Sequence, residues 1–461
     1  MRLQRRKIVF KQSELKKLED LYAESGNQLV VLYGPMNCEK EKLIGAFIGD
    51  KKFFYYRARK ASAKEQLSMM GEEIANRFDV RLQKYSYEEY FTRIRSGNPT
   101  KLVVVIDEFE HIAKRDPEFM ESILKLKNRR LYPGPVMIIL ASSSIVWAEQ
   151  DMDELIGEAA IKKIDSCIKI PNLNFLEVVR LFPEFSVSET IKVYGVLGGV
   201  PGYLKYWDKK KSFKQNICDL ILSEDGHFFK MAEDLVSSEL RELSVYNTIL
   251  MAIAKGENKL NDLFLYTGYS RPKISVYMKN LSHFDIVEKV ISFETGGWDN
   301  AKKGVYRIKD TYINFYYKFV YPHLSDLYIK SPEEFYDTYI EKELDEYLNR
   351  YFINVCMEYL MLLNKIRRLP LEAVKMGTWV GKTGNIDIIA QSSDRQNIVG
   401  ICNWEKPELT MEMCKELFKS MDKAKITSRF IYLFSAKAFS AEVVEMANKD
   451  SRFELIDMNE L

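Results

Sequence analysis

Gly34 and Lys40 follow the apolar run QLVVLY at the spacing by which a phosphate-binding loop separates its first glycine from its lysine. Such a loop lets backbone N–H groups wrap phosphate at the start of a helix, and the amphipathic stretch from Leu43 onward supplies that helix. Two positions depart from the pattern. Glu39 stands where a glycine lets backbone approach phosphate closely, and Glu41 stands where a Ser or Thr hydroxyl would hold magnesium. Both bring charge of the wrong sign for a triphosphate. At ~4 Å and an effective dielectric of ~20, a like-charge pair costs about 4 kcal/mol. An entire micromolar affinity is worth roughly 8 kcal/mol, so two inward-facing carboxylates would be enough to cripple the site.

A second element suits the same chemistry. The run KLVVVIDEFEHI ends an apolar strand on Asp107 and Glu108, types that hold magnesium and orient an attacking water. The plain alternative is an exposed strand end that happens to be acidic.

Both motifs need a scaffold. From about Gln28 to Ile170, the β-branched runs QLVVLY, KFFYYR, KLVVVID, PVMIILAS and CIKI alternate with amphipathic segments such as AKEQLSMMGEEIANRF, the pattern of a buried parallel sheet covered by helices. Beyond Asn174 the pattern is helical, interrupted by GVLGGVPGYL. Short helical segments from SELRELSVYNTILMAIAKG onward lead into alternating residues around Ile291 to Ile308, the order of a winged helix-turn-helix. Its second helix displays Arg271, Lys273 and Lys279, and its hairpin carries Lys302 and Lys303, side chains suited to phosphate positioning and groove contact on DNA. Lysine is equally common on any solvated face. The closely spaced aromatics of DTYINFYYKFVYPHL read as core packing. After a long helical pattern through Leu363, the strands VKMGTWV, NIDIIAQ, NIVGICNW and SRFIYLFS form another α/β segment.

Composition sets outer limits. The chain of 461 residues is 46% hydrophobic, enough for several cores, and its formal net charge of +2 signals no bulk attraction to nucleic acid or membrane. The start MRLQRRKIVF lacks the features of a signal peptide, and VMIILASSSIVWA is too short to span a bilayer. Six dispersed cysteines and four dispersed histidines argue against a disulfide framework or a zinc site. A reducing cytoplasmic setting without membrane partners is the expectation.

The segments YGPMNCEKEKLI, VVVIDEFEHI, MIILASSSI, PNLNFLEVVRLFPEF, VYGVLGGVPGYL, SSELRELSVYNTILMAIAKG and GNIDIIA followed by GICNW occur in the order of a known group. The chain resembles the archaeal-type ATPases of the STAND and AAA-like P-loop class, which carry a winged helix and a C-terminal domain similar to PD-(D/E)XK nucleases. The resemblance implies a multidomain α/β fold. Residues 1–170 would be the P-loop parallel-sheet domain, 171–232 a helical lid, 233–325 the winged helix and 326–461 the restriction-endonuclease-like domain. It assigns nucleotide contacts to Gly34, Lys40 and Ser143, magnesium to Asp107, water orientation to Glu108, and proximity to adenine to the turn of Gly198, Gly199 and Pro201. A tight turn between helices explains that last motif as well.

In the nuclease-like domain, Asp387 matches the family's metal-binding aspartate, and Glu358 on the preceding helix is positioned by sequence to join it. The acid-x-Lys element, however, reads Ile401-Cys402-Asn403 and lacks both acid and lysine, leaving Asn403 and Lys406 as substitutes. With both motifs degenerate, the expected function is a non-catalytic or weakly ATP-binding module that engages DNA or a protein partner. The alternative is an ATP-binding and hydrolysing switch, using ATP and Mg, with the nuclease-like domain as its effector.

Overall fold

The computed structural model describes residues 11–94, 100–128, 134–240, 242–293, 304–381 and 384–458. The expected positions Lys302 and Lys303 lie outside the described residues. The chain forms two compact units, one of residues 1–172 with 200–202, the other of 173–199 with 203–461.

The first unit is built on five strands, β1 (Gln28–Tyr33), β2 (Phe53–Arg57), β3 (Leu102–Asp107), β4 (Val136–Ser142) and β5 (Ser166–Lys169). All pair in parallel, in the order β2-β3-β4-β1-β5. Parallel strands covered on both faces need apolar side chains at every position, and β3 and β4 are buried throughout. The period of two splits them between two cores. Leu102, Val104 and Ile106 point toward Met70, Ile74, Tyr87, Phe119 and Ile123 on one face. Val103 and Val105 point toward Leu18, Leu43, Ile44 and Phe47 on the other, from helices α1 (Gln12–Ala23) and α2 (Lys40–Ile48). Helix α3 spans Ala63–Phe78, the amphipathic segment read from sequence, and starts on a Ser62 cap whose hydroxyl accepts from the Glu65 N–H.

The second unit begins with helices and ends in a second sheet. Helices Leu243–Ala254, Leu260–Thr267 and Arg271–His283 precede an antiparallel pair, Val287–Ile291 with Gly304–Ile308. Gly268, at φ 70°, ends the middle helix in the left-handed region that favours glycine, and Ser270 caps the next. Tyr312, Phe315, Tyr316, Tyr317 and Phe319 are buried, so the aromatic run is core, as its spacing indicated. The long helix Leu344–Lys365 then leads to a five-stranded mixed sheet. In it Asn385–Ser392 runs antiparallel to both neighbours, while Asn397–Asn403, Phe430–Ser435 and Phe453–Asp457 are mutually parallel. Among the described residues, no helix is long and apolar enough to cross a membrane. All six cysteines are free thiols.

Candidate functional site

Strand β1 delivers the chain into the loop at Gly34, whose N–H donates to the Ser142 carbonyl at 3.2 Å. A Cβ at Gly34 would come within 2.6 Å of the Ile170 carbonyl oxygen, so only glycine fits there. The loop then turns through Asn37 (φ 64°) and Glu39 (φ 62°) before α2 begins at Lys40. Glu39 therefore holds the left-handed backbone conformation that the expected glycine would adopt freely, at a cost of roughly 1 kcal/mol for a residue with a Cβ. Its carboxylate is ion-paired with Lys42 one turn along the helix.

Lys40 is nearly shut off from solvent at 2% exposure, and its Nζ lies 2.6 Å from Asp107 Oδ1, 3.1 Å from Glu108 Oε1 and 3.1 Å from Ser143 Oγ. Thus the lysine of the loop, the two acids ending β3 and the serine just past β4 converge. The hydrogen bonding is dense. Asp107 accepts from the Tyr55 hydroxyl at 2.7 Å and from the Glu108 N–H at 3.1 Å. Glu108 accepts from Ser143 twice, from Oγ at 2.5 Å and from the backbone N–H at 3.1 Å. Glu108 itself sits at φ 53°, an uncommon conformation for a residue with a Cβ.

The electrostatics follow from this enclosure. Burial opposes the charged form of Lys40, but the Asp107 and Glu108 carboxylates outweigh it and raise its pKa. Burial likewise opposes ionised Glu108, yet Lys40 and the Ser143 hydroxyl together lower its carboxyl to about 2. Glu110, just beyond, goes the other way: burial first, then the charge of Glu108, push it up to about 8.

Sequence reasoning missed Tyr55 and Arg57. Arg57 lies 3.5 Å from Glu41, 3.8 Å from Asp107 and 3.6 Å from Glu108, joining the three acids from the solvent side. The available signal was positional, because side chains at the carboxyl ends of parallel strands line the ligand crevice and Arg57 ends β2 in register with Asp107. The glutamates expected to repel phosphate thus have cationic partners, Lys42 for Glu39 and Arg57 for Glu41. Three hard-oxygen acids beside a lysine are a donor set that fits magnesium with a polyphosphate.

Gly202 approaches the same loop. Its N–H donates to the Asn37 carbonyl at 3.0 Å, and a Cβ there would come within 2.8 Å of that oxygen. Pro201 opens the short helix to which Gly202 belongs. Gly198 and Gly199 fulfil a turn requirement: Gly198 takes φ 58° and ψ −157°, and a Cβ on Gly199 would fall 1.7 Å from the Leu173 carbonyl oxygen.

The second expected site is assembled differently. Glu358 accepts the Phe175 N–H at 2.6 Å and the Tyr194 hydroxyl at 2.7 Å. It serves the first turn of the helix Phe175–Leu181, whose donors need an acceptor. Asp387 accepts the Cys402 N–H at 2.9 Å, and burial raises its carboxyl to about 6. The two carboxylates take different partners. Asn403 is buried and holds the turn to Lys406, accepting the Lys406 N–H at 3.1 Å and donating to its carbonyl at 3.1 Å, while Lys406 itself is exposed. Cys402 is hydrogen-bonded to Cys356, and burial drives both thiols above their ordinary value. Arg271, Lys273 and Lys279 are exposed on one helix, with Arg271 over the Phe264 ring and Lys273 over that of Tyr269.

Known families and relatives match parts of the chain. Residues 11–207 match the family described as an ATPase domain predominantly from Archaea, and residues 316–420 match a family of archaeal and bacterial proteins of unknown function. An uncharacterized protein of Methanocaldococcus jannaschii is 25% identical over 413 residues, which are 86% of this chain and 88% of that one. Among solved structures, the Walker-type ATPase of Pyrococcus abyssi is 18% identical with a TM-score of 0.45, over 69% of this chain and 100% of that chain. The ORC2 protein of Aeropyrum pernix, in ADPNP–ADP complexes, is 12% identical with a TM-score of 0.45, over 70% and 96%.

Proposed function

We propose that this chain, which carries an archaeal-type P-loop ATPase domain at its N-terminal end, binds ATP weakly and turns it over negligibly, acting as a nucleotide-responsive module for a DNA or protein partner. The observation that carries the reading is the state of Glu108. Its oxygens already engage Lys40, Ser143 Oγ and the Ser143 N–H, and its carboxyl lies near 2. A general base must face the attacking water with an oxygen that is not already engaged, so Glu108 is a poor proton acceptor while Lys40 and Ser143 hold it.

Binding is a separate matter from turnover. Lys40 would take the phosphates, Asp107 would hold magnesium, and Gly34, Ser143 and Pro201 would shape the remainder. The metal would supply charge neutralisation of the phosphates. Entry of a triphosphate must draw Lys40 away from Asp107 and Glu108. Leaving such buried charges without their partner costs about 3–5 kcal/mol, a large fraction of the roughly 8 kcal/mol of a micromolar complex.

Calorimetric titration with Mg-ATP, run beside a phosphate-release assay, tests this. The expected result is binding in the high micromolar to millimolar range with no release above background. Glu39→Gly with Glu41→Thr should tighten binding at least tenfold. Steady turnover that Glu108→Gln abolishes would overturn the non-catalytic reading.

For the partner, we take residues 171–232 as a lid, 233–325 as a winged helix and 326–461 as a nuclease-like docking domain. Exposed Arg271, Lys273 and Lys279 on the helix Arg271–His283 support phosphate contact. Val276 on the same helix and Leu265 on the preceding one are 58% and 71% exposed, which suits a protein surface as well. Salt-dependent binding to duplex DNA, lost in the triple alanine variant of the three basic residues, would decide for DNA.

A further inference from the structure

The turn after β3 gathers three groups that nucleotide binding does not account for together. Glu108, Glu110 and His111 each present one ligand atom, and these atoms lie within 4.8 Å of one another. The left-handed backbone at Glu108 and the helix start at Glu110 bring them to one side, with the His111 N–H donating to the Glu108 carbonyl at 3.0 Å.

Glu110 supplies an independent observation. It is 3% exposed, and its Oε2 has no hydrogen-bond partner among the described residues. A buried polar atom without a partner costs about 1–3 kcal/mol and calls for an explanation. The cations and hydroxyl of the phosphate site, Lys40, Ser143 and Arg57, all address Glu108 or Asp107, and the one contact of the Glu110 carboxyl there is with Glu108, a second acid of the same cluster.

We propose that Glu108, Glu110 and His111 bind a divalent first-row transition metal, with zinc or manganese the simplest probes, at a site separate from the magnesium position on Asp107. Two carboxylates and an imidazole form a mixed oxygen and nitrogen set, which prefers such metals to calcium or magnesium. Tetrahedral bonds of about 2.1 Å set ligand atoms about 3.4 Å apart, so side chains whose ligand atoms already lie within 4.8 Å of one another would close by at most about 1.4 Å, within reach of side-chain rotation. The metal and Lys40 then compete for Glu108. Loading the metal frees the lysine from one of its two carboxylates, which couples this site to phosphate binding at the loop. The metal site itself requires no nucleotide.

The test is titration of the chelator-treated full chain with ZnCl2 or MnCl2, without nucleotide. One equivalent should bind in the micromolar range, while MgCl2 at the same concentration gives no saturable signal. Glu110→Gln and His111→Gln should each weaken binding at least tenfold in protein that melts like the parent. Lys40→Met should tighten it, because Glu108 loses its competing cation. Cobalt(II) provides a readout on the unaltered chain, with visible absorption bands that saturate at one equivalent and are displaced by zinc. Absence of binding at millimolar zinc and manganese overturns the proposal, and so does unchanged affinity in the Glu110→Gln and His111→Gln variants. Failure of ATP binding leaves it standing.

Discussion

The Lys40 site and the Asp387 region each depart from the motif expected of them, yet the structure arranges their polar groups differently. Around Lys40 the surviving groups still converge, and the substituted glutamates are neutralised by Lys42 and Arg57. Around Asp387 the polar groups are engaged singly: Glu358 caps a helix, Asn403 holds a turn and Asp387 accepts the Cys402 N–H. Altered residues do not by themselves say whether a site is gone. What decides is whether the remaining polar groups still face one another or have been satisfied singly by the scaffold.

The strongest way to break this contrast is Lys40→Met. It would leave Asp107 and Glu108 buried beside one another without their shared cation. We expect a loss of about 3–5 kcal/mol in urea unfolding, together with loss of any ATP binding. A variant as stable as the parent would show that the cluster is not the tightly coupled unit described.

Glu358→Ala comes next. If the residue is a helix cap and not a metal ligand, its loss should cost about 2–3 kcal/mol of stability by orphaning the Phe175 N–H and the Tyr194 hydroxyl. ATP titration should be unaffected.

A smaller effect, with a sign, is expected at Asp387. Its folded carboxyl lies at about 6 against an ordinary 3.8, so between those values the native state holds a proton that the unfolded chain releases. The stability tied to that proton is present below about pH 4 and is lost as pH rises through 6. Asp387→Asn should therefore stabilise the protein by about 1–3 kcal/mol at pH 7.5 and change little at pH 4, as read from denaturation midpoints. A metal-binding acid would give the opposite result once metal is added. Lys406→Ala, an exposed change, should stay within about 0.5 kcal/mol.

Much of this was legible in the chain. The five parallel strands and the amphipathic helix Ala63–Phe78 follow from unbroken β-branched runs and a 3.6-residue period, signals confined to single segments. The convergence of Lys40 with Asp107 and Glu108 follows from motif spacing. Arg57 was hidden because its role depends on strand order: it matters only once β2 lies beside β3. The partners of Glu358 were hidden for a similar reason, since the donors it accepts from, Phe175 and Tyr194, are far away in sequence and nothing local marks them. Whether Glu39 and Glu41 would obstruct the loop was likewise a question of which cation each could reach.

The bond from the Gly202 N–H to the Asn37 carbonyl gives the loop its own spectroscopic gauge. Gly202 lies in the first turn of a four-residue helix, where amides lack intrahelical acceptors, so protection of this one depends on the loop's shape. Rearrangement of Asn37 around an anion would release or retain that proton directly, through main chain alone. In deuterium-exchange measurements, a single glycine amide should thus report the loop's occupancy even in variants whose altered side chains have silenced every other signal.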